Sequence, residues 1–447
     1  MCCDKAGLEG FCPRSHRPIG SELSMSKISV SVLSGHNEVG RSAILLEAGG
    51  KRILLDYGMK LVPKSQPEFP PMVEDVDAVL LTHAHLDHSG GIPALFKSRK
   101  WPKIYAVDIT REYTDILLTD AIKVARLREH ELPYGMRETR QAIQNFRHIE
   151  FGVPFRIGEV EVTAYNAGHI PGSAMFYIRY NGKSVLYTGD LNVMETRLMP
   201  PADLSIPKVD LLIMESTYAF KEHPKREGQE LLLKEVVMET LKSNGVAVIA
   251  GFAIGRLLEI AMALKARGYR GQMFLDGMAR RGAAITDAYP DRVRDPDILR
   301  YVERFIKPVD GWRLRKKLVK RPTVILTTSG MLEGGPVHFY IKQLKDDPNS
   351  SITLTGFQIE GTEGRRLLEE GKMTIDGEEY EIQMKVNQLN FSAHASDSGL
   401  RYFVRQLEPE AVTTVHGEQS EKFAKELMEQ FGLSAFAPNE SGEEILV

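Results

Sequence analysis

The sequence predicts an α/β fold, and three features of the 447-residue chain indicate it. Its first part has short apolar runs joined by glycine turns, which is typical of strands and hairpins. In its middle part strands and helices alternate, an order that produces a parallel sheet with helices on both faces. Several predicted strands are followed at once by His, Asp or Glu. The candidate chemistry is therefore expected at the ends of strands.

The elements before residue 200 are mostly strands. Residues 28–33 alternate apolar with small polar side chains, and a hairpin through Gly49-Gly50-Lys51 joins the next two runs. Asn181-Gly182 is a strong hairpin signal between two further strands. The predicted strands here are 28–33, 43–47, 52–55, 79–81, 104–107, 160–165, 174–180 and 183–187, and the predicted helices are 92–97, 110–128 and 136–146.

The elements after residue 208 alternate between strand and helix. Glycine-rich loops lead from these strands into helix N-termini, which can hold phosphate oxygens. One such loop contains Gly330, and another leads to Arg256. The predicted strands are 209–214, 246–250, 273–275, 323–326, 352–354, 373–375, 379–386 and 411–415, and the predicted helices are 226–242, 256–267, 337–344 and 397–407.

A loop with four ligand-type residues follows the apolar run 79–81. It contains His83, His85, Asp87 and His88 within six positions. Imidazole is the commonest metal-binding side chain, and a carboxylate adds an oxygen ligand. His83 and His85 are two residues apart and face the same way in an extended loop, whereas Asp87 and His88 follow on a turn. Such a loop suits two metal ions better than one, and a merely solvated polar loop is the less favoured interpretation.

Three later residues fit the same centre. His169 follows a strand and has Gly168 and Gly172 nearby, so backbone can approach an ion closely. Asp190 ends the second hairpin, and a carboxylate there can bridge two cations about 3.5–4 Å apart. His416 also follows a strand and is a candidate ligand for the second ion.

Two further side chains are expected beside these ligands. Asp56 ends a strand near the His cluster, where a carboxylate can orient a ligand imidazole. His394 lies between small residues at another strand end and is the better candidate for a proton donor. A plain turn residue is the alternative at each position.

Composition bounds the class of protein. With 57 Lys and Arg against 60 Asp and Glu, the net charge of -3 argues against a protein that coats nucleic acid non-specifically, but it leaves room for a local basic groove. The basic run 313–321 is usually a solvated helix face in such a chain, and contact with nucleic acid is the alternative. No apolar run approaches the roughly 20 residues of a membrane span, so no membrane association is expected.

The first residues differ from the rest. All three cysteines lie at positions 2, 3 and 12, so we expect no disulfide framework. This is typical of a protein in the reducing cytoplasm, where we expect the chain to be located. Residues 1–24 are expected to form a disordered tail, and Met25 is a possible alternative start.

The residues quoted above resemble the β-CASP branch of the metallo-β-lactamase superfamily. The H-x-H-x-D-H loop, Gly168-His169 and Thr188-Gly189-Asp190 fit the superfamily. Glu215-Ser216-Thr217-Tyr218, Gly330-Met331 and Phe391-Ser392-Ala393-His394 fit the branch. The resemblance covers nearly all of residues 27–447 and leans toward the archaeal homologues of the eukaryotic cleavage factor.

The resemblance implies an αββα sandwich with an inserted β-CASP domain. The implied division is a metallo-β-lactamase domain at 25–208 and 385–447 and a β-CASP domain at 209–384. It also implies two Zn²⁺ ions, with Asp190 shared and Asp56 orienting a ligand. The first ion would be held by His83, His85 and His169, and the second by Asp87, His88 and His416.

The implied activity is hydrolysis of single-stranded RNA in RNA processing or decay. Asp87, Glu215 and His394 are the implied catalytic residues, with Glu215 and His394 near the leaving group. Residues assigned to substrate binding are Ser392, Ala393, Ser396, Arg256 and Gly330, while Arg280, Arg281 and Arg365 are weaker candidates. A homodimer and RNA-processing or exosome-type complexes are family expectations.

Three other functions stay open at this point. A 5′-to-3′ exonuclease would recognise a 5′ phosphate near residues 392–396, whereas an endonuclease would cut internally. An inactive scaffold subunit of a 3′-end processing complex is disfavoured because every ligand position is filled. A small-molecule hydrolase is disfavoured by the large insertion between Asp190 and His416.

Overall fold

The structure is a computed structural model and describes residues 27–439 and 441–447. Three large sheets and one two-stranded sheet organise this part of the chain. The predicted α/β fold is confirmed, including the parallel sheet with helices. The predicted tail and the three cysteines lie outside the described residues.

The first sheet has seven strands and carries the loop with the four ligand-type residues. Its spatial order is β22-β1-β2-β3-β4-β5-β6, antiparallel from β22 to β3 and parallel from β3 to β6. Its strands are β1 (Ser29–Ser34), β2 (Ala43–Ala48), β3 (Lys51–Tyr57), β4 (Ala78–Leu80), β5 (Lys103–Val107), β6 (Phe146–Ile149) and β22 (Glu443–Leu446).

The second sheet also has seven strands. Its order is β21-β20-β11-β10-β9-β8-β7, antiparallel from β7 to β10 and parallel from β10 to β21. Its strands are β7 (Phe155–Ile157), β8 (Val160–Asn166), β9 (Ala174–Tyr180), β10 (Lys183–Tyr187), β11 (Leu211–Glu215), β20 (Ala411–Val415) and β21 (Ser434–Phe436).

The two sheets pack face to face and bury one core. Ile44 and Leu46 of β2 share this core with Val185 of β10 and Ile213 of β11. Because side chains alternate along a strand, Leu212 points to the opposite face of its sheet.

Helices cover the outer faces and complete four layers. The outer face of the second sheet packs on α11 (Asp397–Leu407) and α12 (Ser420–Phe431). The first sheet packs outward on the 3₁₀ helix Ile92–Lys97 and on the helix Met136–Gln144. The other elements of this sandwich are α1 (Leu86–Ser89), the 3₁₀ helix Ile92–Lys97, α2 (Asp108–Leu127) and α3 (Met136–Gln144).

The third sheet is fully parallel and has the order β14-β13-β15-β12-β16-β19. Separate apolar clusters lie on its two faces, as helices on both sides require. Its strands are β12 (Val246–Ala250), β13 (Met273–Leu275), β14 (Ile306–Pro308), β15 (Thr323–Thr327), β16 (Ser351–Leu354) and β19 (Lys385–Gln388), and β17 (Lys372–Ile375) with β18 (Glu378–Glu381) forms the small hairpin. Its helices are α4 (Arg226–Lys242), α5 (Arg256–Ala266), α6 (Ala279–Ala288), the 3₁₀ helix Pro290–Arg292, α7 (Pro296–Glu303), α8 (Gly311–Leu318), α9 (Pro336–Leu344) and α10 (Glu363–Glu370).

The predicted single strand at 379–386 is wrong. The structure divides it between β18, which pairs with β17, and β19, which joins the third sheet beside β16. By hydrogen bonding, β11 belongs to the second sheet and β19 to the third. The predicted domain limits at 209 and 385 lie close to the beginnings of β11 and β19, respectively, and stay predictions.

Within the described residues, no helix is both long enough and apolar enough to cross a bilayer.

Candidate metal centre

The candidate ligands lie where strands of the two packed sheets end. β3 leads to Asp56, and the loop after β4 carries His83, His85, Asp87 and His88. β8, β10 and β20 of the second sheet lead to His169, Asp190 and His416. Residues from widely separated parts of the chain therefore converge on one edge of the sandwich.

One group of donors surrounds a single point. His83 Nε2 lies 3.1 Å from His85 Nδ1, and His169 Nε2 lies 3.2 Å from the same atom. Asp190 Oδ2 is 3.4 Å from His83 Nε2 and 3.6 Å from His169 Nε2. Ligand atoms about 2.0–2.1 Å from a tetrahedral ion lie about 3.4 Å apart, so these four donors fit one metal ion.

A second group lies on the other side of Asp190. Its Oδ1 is 3.1 Å from His88 Nε2 and 3.7 Å from His416 Nε2, which in turn is 3.7 Å from Asp87 Oδ2. Although they lie this close, His88 Nε2, Asp190 Oδ1 and His416 Nε2 are buried and form no well-aligned hydrogen bond with any described residue. Buried polar atoms are normally paired, so three converging unpaired atoms fit a metal ion.

The other ring nitrogens are held by fixed partners. Asp56 Oδ2 lies 2.7 Å from His88 Nδ1, and Ser42 Oγ lies 2.7 Å from His416 Nδ1. His169 Nδ1 is 2.9 Å from the carbonyl oxygen of Ala393. Such contacts orient an imidazole and fix which nitrogen faces the metal.

Asp56 is itself fixed by three donors. It accepts hydrogen bonds from the Thr82 backbone N–H, the Thr82 hydroxyl and the Tyr187 hydroxyl at 2.7–2.9 Å. Asp56 and His416 both have positive φ angles, 57° and 50°. Non-glycine residues rarely occupy this region, and such strain often accompanies functional sites.

Gly58 allows the ligand loop to approach β3. A Cβ at this position would lie 1.7 Å from the Asp87 backbone oxygen. Backbone hydrogen bonds fix the same approach, from Ser42 N–H to the Asp87 carbonyl and from Met59 N–H to the Leu86 carbonyl.

Burial and neighbouring charges set the pKa values of the histidine donors. Burial lowers the pKa of His85 to about 3, and it also lowers the pKa of His169 and of His416, so these rings are neutral. Burial opposes the protonated form of His88 as well, but Asp190 and Asp56 outweigh it and raise its pKa. The position between these carboxylates therefore favours a positive charge.

His394 lies beside the first group. Its Nδ1 is 3.1 Å from both carboxylate oxygens of Glu215, and its Nε2 is 3.8 Å from Asp190 Oδ2. Burial would lower the pKa of His394, but Glu215 and Asp190 outweigh it and raise it to about 9. The Leu191 N–H donates to Glu215 Oε1 and fixes the carboxylate. A protonated ring thus directs Nε2 toward the donor cluster.

Side chains from the third-sheet region border the centre. The Phe252 ring centroid is 6.5 Å from that of His85, and the Arg256 guanidinium lies 5.7 Å from the Phe252 ring. Burial and the nearby Arg226 lower the pKa of Arg256 to about 10, which still leaves it charged at neutral pH. Arg226 donates to the Ser392 carbonyl, and its Nη1 is buried without a hydrogen-bond partner in the described part of the chain.

Other residues assigned to substrate have different surroundings. Ser396 caps α11, where its hydroxyl accepts from the Gly399 N–H. Gly330 packs on the backbone of Gly251, and its carbonyl accepts from Gln358. Of the weaker candidates, Arg280 pairs with Asp310, Arg365 pairs with Glu369, and Arg281 lines a surface cavity with Asp115.

Several contacting residues escaped the sequence analysis. Ser42, Tyr187 and Arg226 are such residues, and their partners lie 374, 131 and 166 positions away along the chain. No local pattern marks a lone Ser, Tyr or Arg as part of a metal centre. The only feature of these three that a sequence pattern could mark is the position of Arg226, which begins a predicted helix.

Three protein-family models match successive parts of the chain. They are the metallo-beta-lactamase superfamily at residues 36–231, the beta-Casp domain at 257–367 and the Zn-dependent metallo-hydrolase RNA specificity domain at 379–438.

Curated relatives match over most of their length. "Probable RNase MJ4" of Methanocaldococcus jannaschii is 34% identical over 86% of this chain and 91% of its own. "RNase aCSPSF2" of Saccharolobus solfataricus is 33% identical over 95% and 87%. "Transcription termination factor FttA" of Pyrococcus abyssi is 33% identical over 92% and 70%.

A solved structure shares the fold. The crystal structure of a protein of unknown function from Enterococcus faecalis V583 matches 94% of this chain and 100% of its own with a TM-score of 0.59. Its sequence identity is 17%, so the likeness concerns the fold alone.

Proposed function

The chain belongs to the β-CASP branch of the metallo-β-lactamase superfamily, and we propose that it is a two-zinc ribonuclease that hydrolyses phosphodiester bonds of single-stranded RNA. Its place among metal-dependent hydrolases follows from the family. Two zinc ions, the ligand set and the catalytic residues are the finer part of the proposal.

One observation carries the proposal. Two donor groups share the carboxylate of Asp190, and the Glu215–His394 pair lies beside them. A carboxylate with one oxygen toward each group is the bridge that two-metal hydrolases use. When bound, the two ions would supply a water of lowered pKa and neutralise charge on the phosphate.

The chain's own residues account for the proton at the leaving group. Glu215 keeps His394 protonated and directs its Nε2 toward the cluster. His394 would donate this proton to the departing 3′-oxygen of the RNA, as a general acid does. Asp87, which faces His416 across the second group, would be a ligand there.

RNA is the favoured substrate for two reasons. The third family model describes an RNA specificity domain, and two of the relatives are named RNases. The guanidinium of Arg256 lies near the centre and has no carboxylate partner among the described residues, which suits a phosphate.

A 5′-to-3′ exonuclease is the second candidate for the mode of cleavage. The unpaired guanidinium nitrogen of Arg226 next to Ser392, with Arg256 close by, favours it because such a site suits a terminal phosphate. Ser392, Ala393 and Ser396 would lie in or beside this pocket.

Mapping the products of 5′-phosphate and 5′-triphosphate RNA tests both modes. An endonuclease gives internal fragments from either substrate. An exonuclease gives mononucleotides and prefers one end group. A purified protein that holds almost no zinc and cleaves neither RNA would instead support the inactive scaffold.

Assembly and location complete the proposal. A homodimer and association with RNA-processing or exosome-type complexes are expectations from the family, and a cytoplasmic location is expected from the cysteine positions. Light scattering of the purified protein tests the first of these.

A further inference from the structure

A second basic feature lies away from the metal centre, around β14 and α8. Residues 304–321 contain eight Lys or Arg and one Asp, in a chain whose acidic residues outnumber its basic ones overall. The density of positive charge here is therefore local.

Helix α8 directs its charges outward. Leu318 is buried and Leu314 packs against the same core, while Arg315 forms two hydrogen bonds with the buried Asp276. The outer side carries an exposed tryptophan, Trp312, which is 57% exposed. The exposed basic residues of α8 and the turn after it are Arg313, Lys316, Lys317, Lys320 and Arg321.

Lys307 on β14 lies on the same face of the third sheet. It is in register with Phe274 of β13, and paired residues point to the same side. Phe274 packs in one cluster with Leu318 of α8, and the Arg321 guanidinium lies 5.9 Å from its ring. We call the patch formed by Lys307, Trp312, Arg313, Lys316, Lys317, Lys320 and Arg321 the basic surface.

The charges of the basic surface are not neutralised. None of its six cationic side chains forms an ion pair with any residue that the structure describes. Two acids of this region, Asp310 and Asp276, pair instead with Arg280 and Arg315. Lys316 Nζ lies 4.2 Å from the Trp312 ring, so a cation and an aromatic face are presented together.

We propose that the basic surface binds the backbone of single-stranded RNA outside the metal cleft, with Trp312 stacking on a base. This rests on the proposed function, because it assigns a second contact for the same substrate. Interleaved cations and an exposed aromatic ring are what unpaired nucleic acid requires, since phosphates and bases alternate along it. A duplex or an acidic protein would offer no free base to the indole.

The basic surface lies at some distance from the metal centre. β14 is three strands from β12, whose following loop carries Phe252, and three strand spacings correspond to about 14 Å. An RNA must therefore extend beyond the reacting nucleotides to reach the basic surface. Long substrates gain affinity from it, and short ones do not.

The test compares two RNAs and measures binding apart from cleavage. The full chain, treated with a chelator, is titrated with labelled single-stranded RNA of about 30 nucleotides at several salt concentrations. Cleavage of a dinucleotide, which is too short to extend from the reacting bond to the basic surface, is measured with zinc present. The variant K316Q/K317Q/K320Q is expected to weaken RNA binding at least tenfold. The slope of log K against log salt concentration should become shallower by about 2, because each lost lysine–phosphate contact contributes about 0.7.

Matched variants identify the cause. K342Q/K372Q/K425Q removes the same charge from lysines that pair with acids elsewhere, and it should bind like the wild type. Trp312→Ala should weaken binding about fivefold and leave the salt slope unchanged, and Trp312→Phe should restore most of it. All variants should cleave the short RNA at the wild-type rate.

Two results overturn the proposal. One is unchanged binding and salt slope in K316Q/K317Q/K320Q. The other is unchanged binding together with aggregation, which would mean that the lysines only protect the open edge at β14. Failure of the wild type to cleave the short RNA would count against the proposed function, whereas the binding measurement would still test the basic surface.

Discussion

At the scale of single residues, Asp190 connects the two halves of the centre. Its Oδ2 faces His83 and His169, and its Oδ1 faces His88 and His416. Neighbouring imidazoles hold its pKa well below the ordinary range although burial alone would raise it, so it remains a carboxylate. A conservative change here should affect both groups at once.

Asp190→Asn should reduce bound zinc from two ions per chain to fewer than one. It should also slow cleavage more than about 100-fold, because even residues that only orient a ligand cost up to that much. Metal analysis and initial rates measure the two effects. Asp297→Asn, on an exposed residue, is the control and should change neither. Full zinc content in Asp190→Asn would contradict the bridging role.

His394→Ala should keep both ions and lose most of the rate. A general acid contributes about 10²–10⁴-fold, so a decrease of this size in kcat is expected. Glu215→Gln should have a smaller effect, since the imidazole remains. A wild-type kcat in His394→Ala would show that His394 is not the proton donor.

The sequence predicted the donor residues better than their partners. His83, His85 and His88 are dense enough along the chain to be noticed, and His169, Asp190 and His416 all follow strands. Ser42 and Tyr187 contact the centre only through tertiary packing, and their neighbours in sequence carry no signal. The roles of the donors stay predictions until metal is measured.

At the scale of elements, close packing of the ligand loop on β3 sets the geometry. Gly58 permits this approach, and a methyl group there would collide with backbone that cannot rotate away.

Gly58→Ala should destabilise the fold by about 1–3 kcal/mol, as overpacking usually does. It should also weaken zinc binding because Asp87 must move. Chemical denaturation and metal titration measure these effects. Gly228→Ala, at an exposed helical position where a Cβ meets nothing, is the control and should not destabilise the fold. Equal metal affinity in Gly58→Ala would show that the loop adapts.

The contact between α7 and α6 should make stability depend on pH. Burial and the nearby Asp287 carboxyl raise the pKa of Glu303 from 4.5 to about 7. Because the folded pKa is the higher one, this stability is complete below pH 4.5 and is lost as the pH rises through 7.

Glu303→Gln should therefore raise the melting temperature at pH 8 and leave it nearly unchanged at pH 4.5. Thermal unfolding at the two pH values provides the comparison. An equal shift at both would mean that the carboxyl pair does not titrate in this range.

Element types were more predictable than their ends and partners. The helices 226–242 and 397–407 agree with the structure at both ends because apolar spacing and flanking breakers mark them. The prediction of one strand at 379–386 is wrong because two different strands share this segment. Its first part pairs with the neighbouring β17, and its second part pairs with β16 of the third sheet. Short edge strands such as β7 and β21 escaped prediction since few residues define them.

At the scale of the whole molecule, ionic and polar contacts join the sandwich to the helices around the third sheet. Arg292 pairs with Asp108 and Glu150 at 2.8–3.1 Å, and Tyr113 hydrogen-bonds to Thr286. In the same region, Phe252 and Arg256 lie beside the metal centre. The surroundings of the metal centre thus come from both the sandwich and the third-sheet region.

Anomalous diffraction from crystals grown with zinc shows whether Asp190 bridges two metal ions. Two peaks about 3.5–4 Å apart are expected, one on each side of Asp190. His83, His85 and His169 should surround one peak, and Asp87, His88 and His416 the other. A single peak, or peaks away from Asp190, would contradict the bridging role.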